Sequence, residues 1–330
     1  MAEIDFVVTW VDGQDPAWLK TKSKYEPATS VTTKESDSEN RYRVVNSFRY
    51  WFRSVEKYAP WVNKIFFVTY GHVPDWLDTS HPKLCLVRHE DYIPKDYLPT
   101  FNSNVIELNL HRISDLSEHF VLFSDDMILN QPLKPDDFFH KGLPRLLAIY
   151  RPIVAQSEFS HIEVNNTRFL NKYFFGKPNF KKHLGKYFNY RYGKFNLYNF
   201  LSLFYSGIMG YEDAHVGLPS LKSTYADVWE KEGTYLDEMC HNRFRSSQDL
   251  NHWAMSYWNI ETNRFYPQTI KIGKYVPIAD RDEIAKIVGG SSYKMVCIND
   301  DESSVDFQAE NAWIEQVLAE KIPEKSSFEK

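Results

Sequence analysis

The sequence predicts an α/β fold, a largely parallel sheet with helices on its faces. Three observations point there. Over the first half of the chain, apolar runs alternate with helix-period segments in the order strand, helix, strand, strand, helix, strand. Two of those runs give out at acidic residues, where the ligands of such sheets sit. The 330 residues, 43% hydrophobic and 25% charged, suit one large α/β unit or two smaller ones.

The first strand is read at 4–11, "IDFVVTWV", breaking at Asp12-Gly13. The polar stretch 21–40 has nothing apolar enough to pack and is expected to be a mobile loop. A helix follows in "RYRVVNSFRYWFRSVEKYAPW", with Val44, Phe48, Trp51, Phe52 and Val55 at helical spacing and Pro60 as its stop. Strands are expected at 64–70, 83–89 and 119–129, the last with two acids at its centre, and a further one at 145–151. A helix is expected at 101–113. From Val164 to Tyr211 there is no Asp or Glu, while Arg168, Lys172, Lys177, Lys181, Lys182, Lys186, Arg191 and Lys194 stand among many aromatics. That segment suits a solvated insertion and equally a surface facing a polyanion, a lipid headgroup or a sugar chain. Helices are expected at 220–240, 247–260 and 311–323, with a short apolar run ending in Asn299-Asp300-Asp301 between the last two. The chain divides accordingly into a Rossmann-like half at 1–150, a basic aromatic insertion at 151–212, and a remainder at 213–330 that completes the site.

Composition excludes several classes. A net charge of −5 gives no whole-molecule attraction to nucleic acid. Three scattered cysteines without a CxxC argue against a disulfide framework and a zinc site, and for a reducing compartment. No apolar run reaches membrane-span length, and no secretory leader is visible. Neither a P-loop, nor GxGxxG, nor HExxH occurs.

The chemistry sits in five stretches. In "LFSDDMIL", Asp125 and Asp126 interrupt an apolar run; two buried carboxylates need compensation, and a divalent cation supplies it, although a β-turn cap has the same pattern. Asp12 in "WVDG" is open to the same two readings. In "PTFNSNVIELNLHRI", Ser103, Glu107 and His111 fall on one helix face, as a solvent stripe or a substrate-facing row. His215 stands in the Gly/Pro turn "AHVGLP". Arg243 and Arg245 precede a helix expected to be capped by Ser246 or Ser247, a combination that suits an anion as well as surface salt bridges. Together these are the parts of phosphate-ester chemistry: carboxylates for a metal, cations for oxygens, and a base.

The chain resembles the Stealth family of sugar-phosphate transferases. Four blocks match in order: "IDFVVTWVDGQDPAW"; the run from "RYRVVNSFRYWFRSVEKYAPWV" through "VTYGHVPDWL" and "LPTFNSNVIELNLHRI" to "LFSDDMIL"; "AHVGLPSLK" to "HNRFRSSQDL"; and "CINDD". The resemblance implies a nucleotide-sugar transferase (GT-A-like) version of the α/β fold. It implies that an acceptor hydroxyl attacks the β-phosphorus of a UDP-sugar, first of all UDP-N-acetylglucosamine, with UMP leaving. Its functional positions fall on Asp5, Asp12, Asp125, Asp126, His215, Arg245 and Asp300, with Asn102, Ser103, Glu107 and Arg112 in the second-block signature. The implied roles are Mg²⁺ (or Mn²⁺) on Asp125, Asp126 and Asp300, phosphate on Arg245, and a general base at His215. Implied partners are the UDP-sugar and a growing or lipid-linked glycan, in capsule, exopolysaccharide or cell-wall synthesis. The chain starts almost at the first block, so the expectation is a compact bacterial form, cytoplasmic, with peripheral contact at the inner face of the membrane. Two competing readings are a conventional glycosyltransferase releasing UDP and an inactive glycan- or membrane-binding subunit.

Overall fold

The computed structural model describes residues 2–26, 47–155, 159–300 and 306–330. Eleven strands are present among them: β1 (Ile4–Trp10), β2 (Ile65–Thr69), β3 (Leu84–Arg88), β4 (His119–Ser124), β5 (Met127–Leu129), β6 (Phe139–His140), β7 (Leu143–Leu146), β8 (Leu218–Leu221), β9 (Tyr266–Pro267), β10 (Gly273–Pro277) and β11 (Met295–Asn299). Positions 27–40 of the expected loop, 41–46 at the head of the following helix (Val44 among them) and Asp301 lie outside the described residues. Thr21–Glu26 are not loop-like as expected. Thr21 and Lys22 end the helix Pro16–Lys22, and Ser23 and Tyr25 continue it in hydrogen-bonded turns.

The central sheet has the order β3-β2-β1-β4-β8. β1 runs parallel to β2 and to β4, β2 runs parallel to β3, and β8 is antiparallel to β4. The chain therefore leaves β1 toward one edge and returns on its other side at β4. Between those two strands the order reverses, and such a switch point opens a crevice at the carboxyl edge. β1 and β2 are buried nearly throughout because they are central and covered on both faces, which is why they read as continuous Ile/Val/Phe runs rather than alternating ones.

Successive side chains of β1 enter different cores. Phe6 and Val8 meet Phe48, Trp51, Phe52 and Val55 of the helix Phe48–Tyr58 on one face. Val7 joins Phe66, Phe120, Tyr225 and Trp258 on the other. Trp51 and Phe52 are wholly buried, and each such ring is worth about 2–3 kcal/mol in apolar burial.

The expected strand 119–129 is two strands. Two adjacent acids cannot both remain in a buried ladder, since a strand sends neighbouring side chains to opposite faces. The chain turns at Asp125-Asp126, and β5 joins a second sheet of order β10-β11-β5. There β11 is antiparallel to β5, with Cys297 opposite Met127. Leu143–Leu146 replaces the expected 145–151 strand. The helix expected at 101–113 is shorter, Ser103–Leu108, followed by a 3₁₀ turn at Leu110–Arg112. The helix expected from 247 begins only at Trp253.

The basic segment is largely helical, with helices at Ser160–Phe174, Pro178–Lys182, Leu184–Tyr187 and Asn196–Leu201. Its Phe169, Leu170, Phe180, Tyr187 and Tyr192 belong to the same core as Val7 and Phe120.

Candidate active site

A cavity of about 1100 Å³ opens at the carboxyl edge of the central sheet, lined by Thr9, Trp10 and Val11 at the end of β1 and by Ser124, Asp125 and Asp126 at the end of β4. Of the candidates read from the sequence, Ser103, Glu107, Asp125, Asp126, His215, Arg245 and Asp300 line it. Topology explains the convergence. β8 is antiparallel to β4, so the loop before it, carrying His215, returns to the same edge. β11 is antiparallel to β5, so its carboxyl end lies beside Asp126, whose carbonyl accepts the Ile298 N–H at 2.9 Å. Asp300 follows directly after β11.

Asp126 Oδ2 accepts a hydrogen bond from Asn299 Nδ2 at 2.7 Å and contacts the Cys297 thiol at 3.3 Å. Its Oδ1 is buried without a hydrogen-bond partner. Burial, and next the Asp126 charge, push the Asp125 carboxyl up to about 7. An orphaned carboxylate oxygen beside an acid whose ionised form is disfavoured by burial is a donor set short of positive charge, and hard oxygen donors suit Mg²⁺ or Mn²⁺. Among the described residues no three His, Cys, Asp or Glu side chains are already gathered in a coordinating group. The acids share a cavity rather than a finished cage, which is compatible with an ion that takes much of its coordination from phosphate and water.

Arg245 Nη2 donates to Ser103 Oγ at 2.8 Å, and its Nη1 is buried with no partner. No helix starts at Ser246 or Ser247, contrary to expectation. Residues 241–252 are turns, bends and irregular backbone, and Asp249 organises them. Its Oδ2 accepts from Ser246 N (3.1 Å), Asn102 Nδ2 (2.8 Å) and Asn104 Nδ2 (3.0 Å). This buried carboxylate ties the Arg245 loop to the start of the helix Ser103–Leu108, and burial raises its pKa.

His215 has φ +49°, a conformation uncommon for a residue with a side chain. The neighbouring packing holds it there. A Cβ on Gly217 would lie 2.3 Å from the Phe123 ring, and one on Gly273 would lie 2.5 Å from Val216 Cγ1. The imidazole meets Trp253 and Tyr275 edge-on, with ring centroids 5.4 Å away in each case.

One pair on the cavity wall escaped the sequence reading. His252 Nδ1 and Glu107 Oε2 are 2.6 Å apart, and both residues line the cavity. A carboxylate-oriented imidazole is a common acid–base arrangement, but the two residues stand far apart in the sequence and no local pattern links them. His111 is not on the cavity. The helix ends at Leu108, and His111 packs against Tyr225 and Trp229, its pKa lowered to about 4 chiefly by burial.

Five other candidates lie outside the lining. Asp5 sits near the amino end of β1, opposite the crevice, wholly buried; it accepts from Asn63 Nδ2, Lys64 N and Ser117 N. Asp12 adjoins the lining residue Val11 and caps a turn, accepting from Gln14 N at 2.9 Å. Asn102 is the buried N-cap of the helix Ser103–Leu108. Arg112 bonds Asn109 Oδ1 and lies over Trp229. Arg243 donates to the Leu98 and Pro99 carbonyls and lies over Tyr25. Each of these side chains is occupied in holding local structure.

Comparison with known proteins adds a family to this geometry. Residues 3–30 match the description "Stealth protein CR1, conserved region 1", and residues 41–146 match "Stealth protein CR2, conserved region 2". The chain is 57% identical over 327 residues to a capsular polysaccharide phosphotransferase of Streptococcus pneumoniae, covering 99% of each chain. It is 38% identical to a receptor polysaccharide phosphotransferase of Streptococcus oralis over 335 residues, covering 100% of both. With an exopolysaccharide phosphotransferase of Lactiplantibacillus plantarum it shares 37% identity over 330 residues, 99% of this chain and 96% of the relative.

Proposed function

The chain belongs to the Stealth family, and from that premise we propose that it is a polysaccharide phosphotransferase moving a hexose-1-phosphate, N-acetylglucosamine-1-phosphate first of all, from a UDP-sugar to a glycan hydroxyl. The observation that carries this reading is that Asp125, Asp126, Asp300, His215, Arg245 and Ser103, drawn from remote parts of the chain, line one cavity at the switch point of the sheet. Its volume, about 1100 Å³, is slightly above the usual range for small-molecule sites and leaves room for donor and acceptor together.

In this reaction the acceptor oxygen attacks the β-phosphorus. The new O–P bond forms as the bridging P–O bond to UMP breaks, and UMP takes the electron pair. The sugar C1–O bond stays intact. The acceptor proton passes to His215, or to His252 as oriented by Glu107. Arg245 Nη1, buried and unpartnered, would take an oxygen of the transferring phosphate, while Nη2 is held by Ser103. Asp125, Asp126 and Asp300 would hold Mg²⁺ or Mn²⁺, which when bound neutralises diphosphate charge.

The test is incubation with a panel of nucleotide-sugars, Mg²⁺ and a glycan acceptor, following the nucleotide released and the phosphorus NMR of the product. UMP with a new phosphodiester resonance is the expected result. UDP release without that resonance would replace this reading with conventional glycosyl transfer, and no turnover of any donor would make the chain a binding subunit.

A further inference from the structure

Within the basic segment 164–211, the stretch 196–204 orients its side chains against the usual rule for a surface helix. In the helix Asn196–Leu201 and the following turn Ser202–Phe204, the polar residues face inward. Asn199 is wholly buried, accepting from Tyr150 N and donating to the Ala148 and Tyr187 carbonyls. Ser202 is buried and donates to the Asn199 carbonyl, and Lys177 Nζ reaches the Ser202 carbonyl. The apolar residues face outward: Leu197 is 60% exposed, Phe200 50% and Phe204 74%. A surface helix of a soluble protein does the reverse.

These groups form one patch. The Phe200 and Phe204 ring centroids are 5.8 Å apart. Leu201 and Tyr205 share a small apolar pocket with Tyr198, Met209 and Pro152. Phe175, 68% exposed, lies against Gly207, whose added Cβ would be 3.3 Å from its ring. Isolated exposed apolar residues need no explanation, but a contiguous group marks an interaction surface. Lys181, Lys182 and Lys194 are exposed in the same segment, and 164–211 contains no acid.

We propose that this face docks the protein on the interface of an anionic phospholipid bilayer. Rings and leucines enter the headgroup–acyl boundary, while the lysines meet lipid phosphates. A second copy is a poorer occupant, since two-fold pairing would bring the same basic segment against itself. Pro152 lines both the apolar pocket and the cavity, and Val154 and Phe195 line the cavity as well, so the cavity mouth opens beside the docked face.

The test is co-sedimentation of the full chain with phosphatidylcholine vesicles, with and without about 30% phosphatidylglycerol. The parent protein is expected to sediment with the anionic vesicles. Phe200→Glu and Phe204→Glu are each expected to lower partitioning about tenfold, and Lys181→Glu with Lys182→Glu to lower it on anionic vesicles alone. None of these residues lines the cavity, so nucleotide release with a water-soluble acceptor should stay at the parent level; this assay fails independently if the chemical reading is wrong. The proposal is overturned if the parent stays in the supernatant with both vesicle types, or if the phenylalanine variants sediment like the parent. It is also overturned if sedimentation velocity shows a parent dimer that the same variants dissociate while vesicle binding is absent.

Discussion

Arg245 and Ser103 are joined by a 2.8 Å hydrogen bond that uses Nη2 of the guanidinium and leaves Nη1, which is buried, unpartnered. The serine fixes one arm of the fork, and under the proposed reaction the free nitrogen would take a phosphate oxygen. Arg245→Lys keeps the charge and loses the fork, and is expected to lower kcat by about 10²–10³-fold. Ser103→Ala frees the guanidinium to swing and is expected to cost about tenfold. Steady-state nucleotide release measures both. Near-parental turnover of Arg245→Lys would remove Arg245 from the mechanism.

Asp126→Asn removes a buried charge whose Oδ1 lacks a partner. Turnover should fall by about 10³-fold or more, with the melting temperature unchanged or raised. A chelator should abolish activity of the parent, and added Mg²⁺ should restore it there but not in Asp126→Asn. Activity that survives exhaustive chelation would rule out a required divalent ion.

Glu107 and His252 form a pair across the cavity wall. Glu107→Gln retains the shape and loses the charge that orients the imidazole, with an expected fall in kcat of about tenfold or more. Comparing His252→Asn with His215→Ala assigns the base, since the larger kcat loss identifies the residue that takes the proton. Equal and small losses would exclude both.

Asp5 satisfies three donors at the closed end of the sheet. Asp5→Ala strands buried N–H groups and is expected to destabilise the fold by about 2–4 kcal/mol. Turnover per folded molecule should stay within a factor of two or so, because Asp5 is outside the cavity. Urea denaturation and an active-site titration separate the two effects. A large kcat loss with unchanged stability would return Asp5 to the site.

Glu261 is buried between the Tyr150 and Tyr211 hydroxyls, which donate to its Oε1 at 2.7 and 2.8 Å, and burial pushes its pKa up to about 7. The folded state therefore binds this proton more tightly than the unfolded chain does. Its stabilising contribution is full below the unfolded pKa near 4.5 and is lost as pH rises through about 7. Glu261→Gln should flatten the fall in melting temperature across that window relative to the parent. Parallel profiles for the two proteins would show that the carboxyl does not titrate there.

The sequence shows the parallel half of the fold because its strands are continuous apolar runs and its helix Phe48–Tyr58 has a clear apolar stripe. β8 and β10 were not legible: "LPSL" and "GKYVP" are short and proline-bearing, and only their partners β4 and β11 make them strands. Asp125, Asp126, His215, Arg245 and Asp300 were found as motifs, yet nothing local says that they meet; the β5–β11 and β4–β8 pairings do that. Asp5, which the resemblance implied, and Asn102 and Arg243 lie outside the cavity lining, and a sequence cannot separate polar side chains that bond the backbone from those that line a cavity. The pair of Glu107 and His252 depends wholly on tertiary contact.

The late position of β11 also has a consequence during synthesis. On the ribosome the five strands of the central sheet are complete by Leu221, long before residue 300 emerges, so the nascent chain carries a finished central sheet with an unfinished cavity. Activity is expected to appear only when that final strand slots beside β5, and fragments truncated before it should be inert even if they retain both matched family regions.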